Sequence, residues 1–238
     1  MKAKFIFALL ILCSNVTAAY AVTAEPSAEQ PMVVRGDAKE IQIFGRIYAQ
    51  RFNAAQGEEA HYHLLVWNQG TSPTALIETP VDDLVLHAEL LKLGAKPGDN
   101  LTIASWNKRN EEQSAAPREK VTGSEIVIRV AWKEKPEGIS VSDIFSRSLI
   151  PDSRPPVVLR FGGNRDRLFN KLPFRPRPGC LVCLYSCPSG KVSNSALSVH
   201  DYVSAPARFV ANTTLLPPDG TPVIVTFQLV SEDSTPKQ

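Results

Sequence analysis

The sequence predicts an α+β domain: a mainly antiparallel β-sheet with one well-defined amphipathic helix and a cysteine-containing loop region. Three observations lead there. Runs that alternate apolar and polar residues recur along the chain, but helices do not interleave with them regularly, which argues against a doubly wound parallel sheet. One segment carries a complete set of helix start and stop signals. The 19 prolines among 238 residues fit a loop-rich β architecture. With 43% hydrophobic and 21% charged residues, the composition is that of an ordinary globular chain long enough to bury a core.

The elements follow in order. Met32 to Gly36 reads as a short strand. Ile41, Ile43, Phe44, Ile47 and Tyr48 make a β-rich run in which Gly45 marks a bulge. Gly57-Glu58-Glu59 is a turn, and His61 to Trp67 is the return strand, with His61 and His63 on one face and Tyr62 on the other. Pro80 to Leu93 is the helix. Thr79 is its expected N-cap, Pro80 suits the first position, and Asp82 and Asp83 favour the positive end of the dipole. Val81, Leu84, Val85, Ala88 and Leu91 form its expected buried stripe. Gly94 and Pro97 end it, and His87 falls beside the stripe as a packed side chain.

Asn100 to Trp106 is expected as a strand and Asn107 to Lys120 as an exposed loop. Glu125 to Lys133 alternates clearly, with Ile126, Ile128, Val130 and Trp132 on one face. A short helix is expected over Val141 to Phe145 after Ser140. Further strands are expected over Pro155 to Phe161, Arg208 to Ala211 and Pro222 to Val230, the last two joined by a turn at Leu215 to Gly220.

The N-terminus reads as a secretory leader. Met1 to Lys4 is basic, Phe5 to Cys13 is apolar, and Ala19-Tyr20-Ala21 supplies the small-x-small end. The expected organisation is a signal peptide over 1–21, a flexible arm over 22–35, one domain over 36–230 and a polar tail over 231–238. The protein is then exported, periplasmic or secreted, with no membrane span once the leader is removed. Lys+Arg number 26 and Asp+Glu 24. Lys2 and Lys4 lie in the leader, so the mature chain is balanced, without the basic footprint of a nucleic-acid binder.

The chemistry concentrates in Gly179-Cys180-Leu181-Val182-Cys183-Leu184-Tyr185-Ser186-Cys187-Pro188. Gly179 and Pro188 bracket an expected compact loop in which the three sulfurs converge. Were the segment an extended strand, odd spacing would turn Cys180 and Cys183 to opposite faces. Converging thiols can ligate a soft metal, zinc or cuprous copper, or act as redox thiols. An iron–sulfur cluster is less well matched, because the C-x2-C-x3-C-P run is one ligand short. Otherwise the cysteines only brace a loop. His61, His63, His87 and His200 are the candidate extra ligands, and His200 is preferred because it is nearest in sequence. Arg154, Arg160, Arg165, Arg167, Lys171, Arg175 and Arg177 precede the cluster and read as a solvated basic loop. No nucleophile elbow, phosphate loop, dinucleotide fingerprint or zinc-protease helix occurs in the sequence, so no residue set supports a catalytic role.

Three stretches together resemble the YdjY-like family of exported bacterial proteins, sometimes labelled ferredoxin-type. They are His87 to Asn100 (HAELLKLGAKPGDN), Arg160 to Asn164 (RFGGN) and Gly179 to Asn194 (GCLVCLYSCPSGKVSN). Leu216 to Phe227 also fits. The resemblance implies an uncharacterised domain rather than a mechanism. The expectation is therefore a non-catalytic metal-binding or thiol-redox accessory protein with an unidentified protein partner. Cys180, Cys183, Cys187 and His200 are its expected ligands. The competing expectation is an assembly module with purely structural cysteines.

Overall fold

A computed structural model of the chain describes residues 24–55, 62–72, 74–111, 118–146, 157–163, 177–204 and 209–230. The segments expected as leader, residues 1–21, and tail, residues 231–238, together with His61, the turn expected at residues 57–59 and most of the basic run, lie outside them. The first half of the chain gives β1 (Met32–Arg35), β2 (Glu40–Ile47), α1 (Ala49–Ala54), β3 (His63–Trp67), β4 (Ala75–Thr79), α2 (Asp83–Lys92) and α3 (Ile103–Asn107). Next come β5 (Ile126–Trp132), β6 (Lys135–Ser140), α4 (Val141–Ile144), β7 (Phe145–Ser146) and β8 (Leu159–Phe161). The last part holds β9 (Cys180–Cys183), β10 (Val192–Asn194), α5 (Asp201–Ser204), β11 (Val210–Ala211) and β12 (Pro222–Leu229).

Ten strands form one sheet in the order β6-β5-β12-β2-β4-β3-β9-β10-β8, with β1 beside β2; β7 and β11 pair separately. The far ends approach each other: the Phe161 N–H donates to the Ser124 carbonyl at 2.8 Å, and Arg160 pairs with Glu125. The sheet is mainly antiparallel, as expected, but not purely so: seven of its nine strand pairs are antiparallel, whereas β3 runs parallel to β4 and β9 parallel to β10. Apolar alternation says which face of a strand is buried, not which way the strand runs. β2, β5 and β12 alternate buried and open positions as expected. By contrast β9 and β10 are buried at every position, and β3 and β4 at four of five. The half of the sheet that carries the cysteines is thus covered on both faces.

The expected helix exists but is shorter and turned. It spans Asp83–Lys92, and Asp82 is its N-cap, accepting the Leu84 N–H at 2.8 Å. Thr79 instead ends β4, its hydroxyl donating to the Phe44 carbonyl at 2.7 Å. The buried face is Asp83, Leu86, His87 and Leu90, whereas Val85 and Leu91 are each 43% exposed and Ala88 is exposed as well. Two polar anchors account for the rotation. Asp83 is drawn inward by Lys191 and Arg177, and the His87 Nε2 meets the Gly163 carbonyl at 3.0 Å. With Leu86 and Leu90 at i, i+4 on that side, Val85, Ala88 and Leu91 of the expected stripe face out, while Val81 is buried and Leu84 half-buried.

Two further differences have local causes. Ile103–Asn107 is a helix, not a strand, because the Thr102 side chain accepts the Ser105 N–H. The Cys180–Cys183 segment is a sheet strand, not a loop. Ser140 does cap a short helix, its hydroxyl accepting the Ser142 N–H.

The Asp82 cap gives a first expected result. Burial alone would raise its pKa, but the Arg177 guanidinium and the Leu84 N–H outweigh that and hold it below the usual carboxylate range. Asp82→Ala should cost about 1 kcal/mol at neutral pH. A depressed folded-state pKa stabilises above the unfolded value of about 3.9, and that contribution is lost as pH falls through the lower folded value. Urea midpoints of wild type and variant should therefore differ at pH 7 and converge in acid.

Candidate metal centre

β3 and β9 lie side by side and antiparallel, with His63 opposite Cys183 and Val66 opposite Cys180. Between those positions the register slips twice, once with an extra residue on each strand. A regular strand would send residues three apart to opposite faces. The extra residue in β9 reverses one alternation, so Cys180 and Cys183 turn to the same side. The extended strand and the convergent thiols therefore coexist.

The His63 Nδ1 lies 3.6 Å from the Cys180 Sγ and 3.9 Å from the Cys183 Sγ. The three ligand atoms all fall within 4.8 Å of one another, and all three residues are buried. Donors about 2.0–2.3 Å from a common ion sit roughly 3.5–4 Å apart, so this spacing suits one metal. Cys187, 3% exposed, adjoins Cys183 through a hydrogen bond, but its sulfur is not among the three ligand atoms within 4.8 Å of one another. The Ser189 N–H also donates to its sulfur at 3.3 Å. All three cysteines are free thiols.

The thiols divide the charge unequally. The Cys183 thiol donates to Cys180 and holds it well below the ordinary thiol range, against burial and with help from His63 and Ser72. The Ser72 hydroxyl sits 2.9 Å from the Cys180 sulfur. Burial pushes Cys183 well up, and its role as donor to both neighbours adds to this. For Cys187, burial raises the value, but the hydrogen bonds from Cys183 and the Ser189 N–H and the nearby Tyr62 phenol leave it lowered. Burial likewise drives the Tyr62 phenol well up, with Cys187 as the next contributor. Tyr62 packs edge-on against His63 at 4.6 Å between ring centroids, and its other neighbours are Tyr185, Trp106 and Tyr202.

The preferred histidine lies elsewhere. His200 directs its Nδ1 at the Arg109 carbonyl, 2.7 Å away, and is not part of the cluster. His87 is occupied by Gly163. The signal that marks His63 is its alternation in the strand it shares with Leu65 and Trp67, which is visible in sequence but does not reveal the partner strand. Of the basic run, Arg160 pairs with Glu125, and Arg177 pairs with Asp82 and Asp83 while lying over the Trp67 ring. A cavity of about 580 Å³ opens elsewhere, between Phe44, Ala131, Trp132 and Ile224. It contains none of these thiols.

Fold and site define a mixed-sheet protein with a buried cysteine–histidine cluster in its doubly covered half. The YdjY domain profile matches residues 32–228, and the chain belongs to that family. It is similar to the uncharacterized protein YdjY of Escherichia coli (strain K12), with 32% identity over 141 residues. That match covers 59% of this chain and 54% of the relative, so the chain spans about half the length of the relative it matches. No solved structure matches the chain. No helix among the described residues is long and apolar enough to cross a membrane.

Proposed function

We propose that this is an exported, non-catalytic protein that binds one soft metal ion, zinc or cuprous copper. Its ligands are His63, Cys180 and Cys183, with Cys187 as the fourth donor. One observation carries the reading: an imidazole nitrogen and two sulfurs from two different strands meet within 4.8 Å in the protein interior. A thiolate buried with no cation is costly, and a thiolate-rich set selects zinc or cuprous copper over hard cations. With Cys187 drawn in to the three spaced donors, the site is closed, which suits a held ion better than a catalytic one. The leader-like pattern of residues 1–21, a basic start, an apolar run and a small-x-small end, supports export. In an oxidising compartment a bound ion also keeps neighbouring thiols from pairing.

The test is elemental analysis and thiol counting on protein purified in its exported form. The expected result is about one metal per chain and no disulfide. His63→Ala should lower the metal affinity by at least about 100-fold, beyond what loss of a merely supporting residue costs. Metal-free protein with intact thiols would leave the structural assembly module, and a disulfide would favour a redox site.

A further inference from the structure

The residues that follow Cys187 fold back over the sulfurs and touch each cysteine in turn. The Ser189 N–H donates to the Cys187 sulfur at 3.3 Å. Gly190 lies so close to Cys183 that a Cβ on it would stand 2.9 Å from the sulfur. The Lys191 N–H donates to the Cys180 carbonyl at 3.3 Å. The segment is tied down by its last side chain. Lys191 is fully buried, and its ammonium lies 2.9 Å from the Asp83 carboxylate, itself 1% exposed, and 3.2 Å from the Ser189 carbonyl. Asp83 is the first residue of α2, and its other oxygen takes the Arg177 guanidinium at 3.1 Å.

We propose that Pro188–Lys191 is a strap over the thiol cluster, latched to α2 by the Lys191–Asp83 ion pair, and that its local opening admits and releases the metal. The proposal rests on the metal reading only for what passes the strap. Pro188, Gly190 and Lys191 are buried, and half-exposed Ser189 is the point where the strap meets both solvent and a ligand sulfur. Among the described residues, half-exposed Ser72 meets the Cys180 sulfur, while Cys183 and Cys187 adjoin the strap. A buried site reached by opening a short segment exchanges at a rate set by that segment and not by global unfolding. The latch suits the task, since Asp83 keeps Arg177 when Lys191 lets go.

The experiment uses the metal-free mature protein, N-ethylmaleimide as probe and peptide mapping to assign each cysteine. Wild type should react slowly at Cys183 and Cys187. Lys191→Met keeps the apolar stem and leaves Asp83 paired with Arg177. It should speed both reactions by about tenfold or more, with Cys180 changing less. Gly190→Ala leaves the ion pair untouched and crowds the Ser193 Oγ and the Cys183 sulfur, and should do the same. Unchanged rates in both variants would overturn the proposal. So would an acceleration with the denaturant dependence of global unfolding, or one confined to Cys180. Metal content of the wild type is scored separately, so the strap and the metal site stand or fall on different readouts.

Discussion

Asp83→Asn should be among the most destabilising single changes in this protein, at about 3–5 kcal/mol. The Asp83 side chain is 1% exposed and Lys191 is 0% exposed, so neither charge has water to fall back on. Without the carboxylate's charge, the Lys191 ammonium keeps only neutral acceptors, the Ser189 carbonyl at 3.2 Å and the new amide oxygen. Arg177 is better placed, since it is partly exposed and still has Asp82. The penalty is therefore mostly that of one orphaned buried cation. Removing both members should cost much less, because a well-packed apolar replacement of a buried pair is often near neutral. Urea denaturation of Asp83→Asn, Lys191→Met and the double variant would measure this. A double variant no more stable than Asp83→Asn would show that the cation is not the source of the loss.

The same residue explains where the sequence is readable and where it is not. β5 and β12 are each buried on one face, so Ile126, Ile128 and Val130, and Val223, Val225 and Phe227, announce them by alternation. β9 and β10 are covered on both faces, which erases that signal, and their direction has no local code. α2 was recognisable from its end signals, but its buried face was not. That face is chosen by Asp83 and His87, whose partners Lys191 and Gly163 lie far along the chain. α1 has the same character: its first N–H groups, at Gln50 and Arg51, are satisfied by the two oxygens of Asp219, each at 2.9 Å. No window of residues near α1 contains that cap. In the site, the spacing of Cys180, Cys183 and Cys187 was legible as a cluster. The choice of His63 over His200 depends on a strand pairing with two compensating slips, which only the folded sheet reveals.

Cys183→Ser should abolish metal binding more completely than loss of either neighbouring thiol. Cys183 stands in the middle of the group, hydrogen-bonded to Cys180 on one side and Cys187 on the other, and 3.9 Å from the His63 nitrogen. Removing Cys187 leaves the His63, Cys180 and Cys183 set whole; removing Cys183 splits it. The expected loss of affinity is greater than about 100-fold, since supporting residues alone cost 10–100-fold. Its pH dependence carries a sign. Burial and donation to its neighbours push the Cys183 thiol well above the ordinary thiol range, whereas donation from Cys183 and the nearby His63 pull Cys180 well below it. Binding must then displace the Cys183 proton, so affinity rises with pH until that raised value is passed. In Cys183→Ser the steep rise should vanish along with the affinity. Because the ion binds the folded chain and not the unfolded one, the metal should raise the wild-type melting temperature and leave the variant's unchanged. A wild type whose melting temperature ignores metal, or a Cys183→Ser variant that still shifts with it, would remove His63, Cys180 and Cys183 as the ligand set.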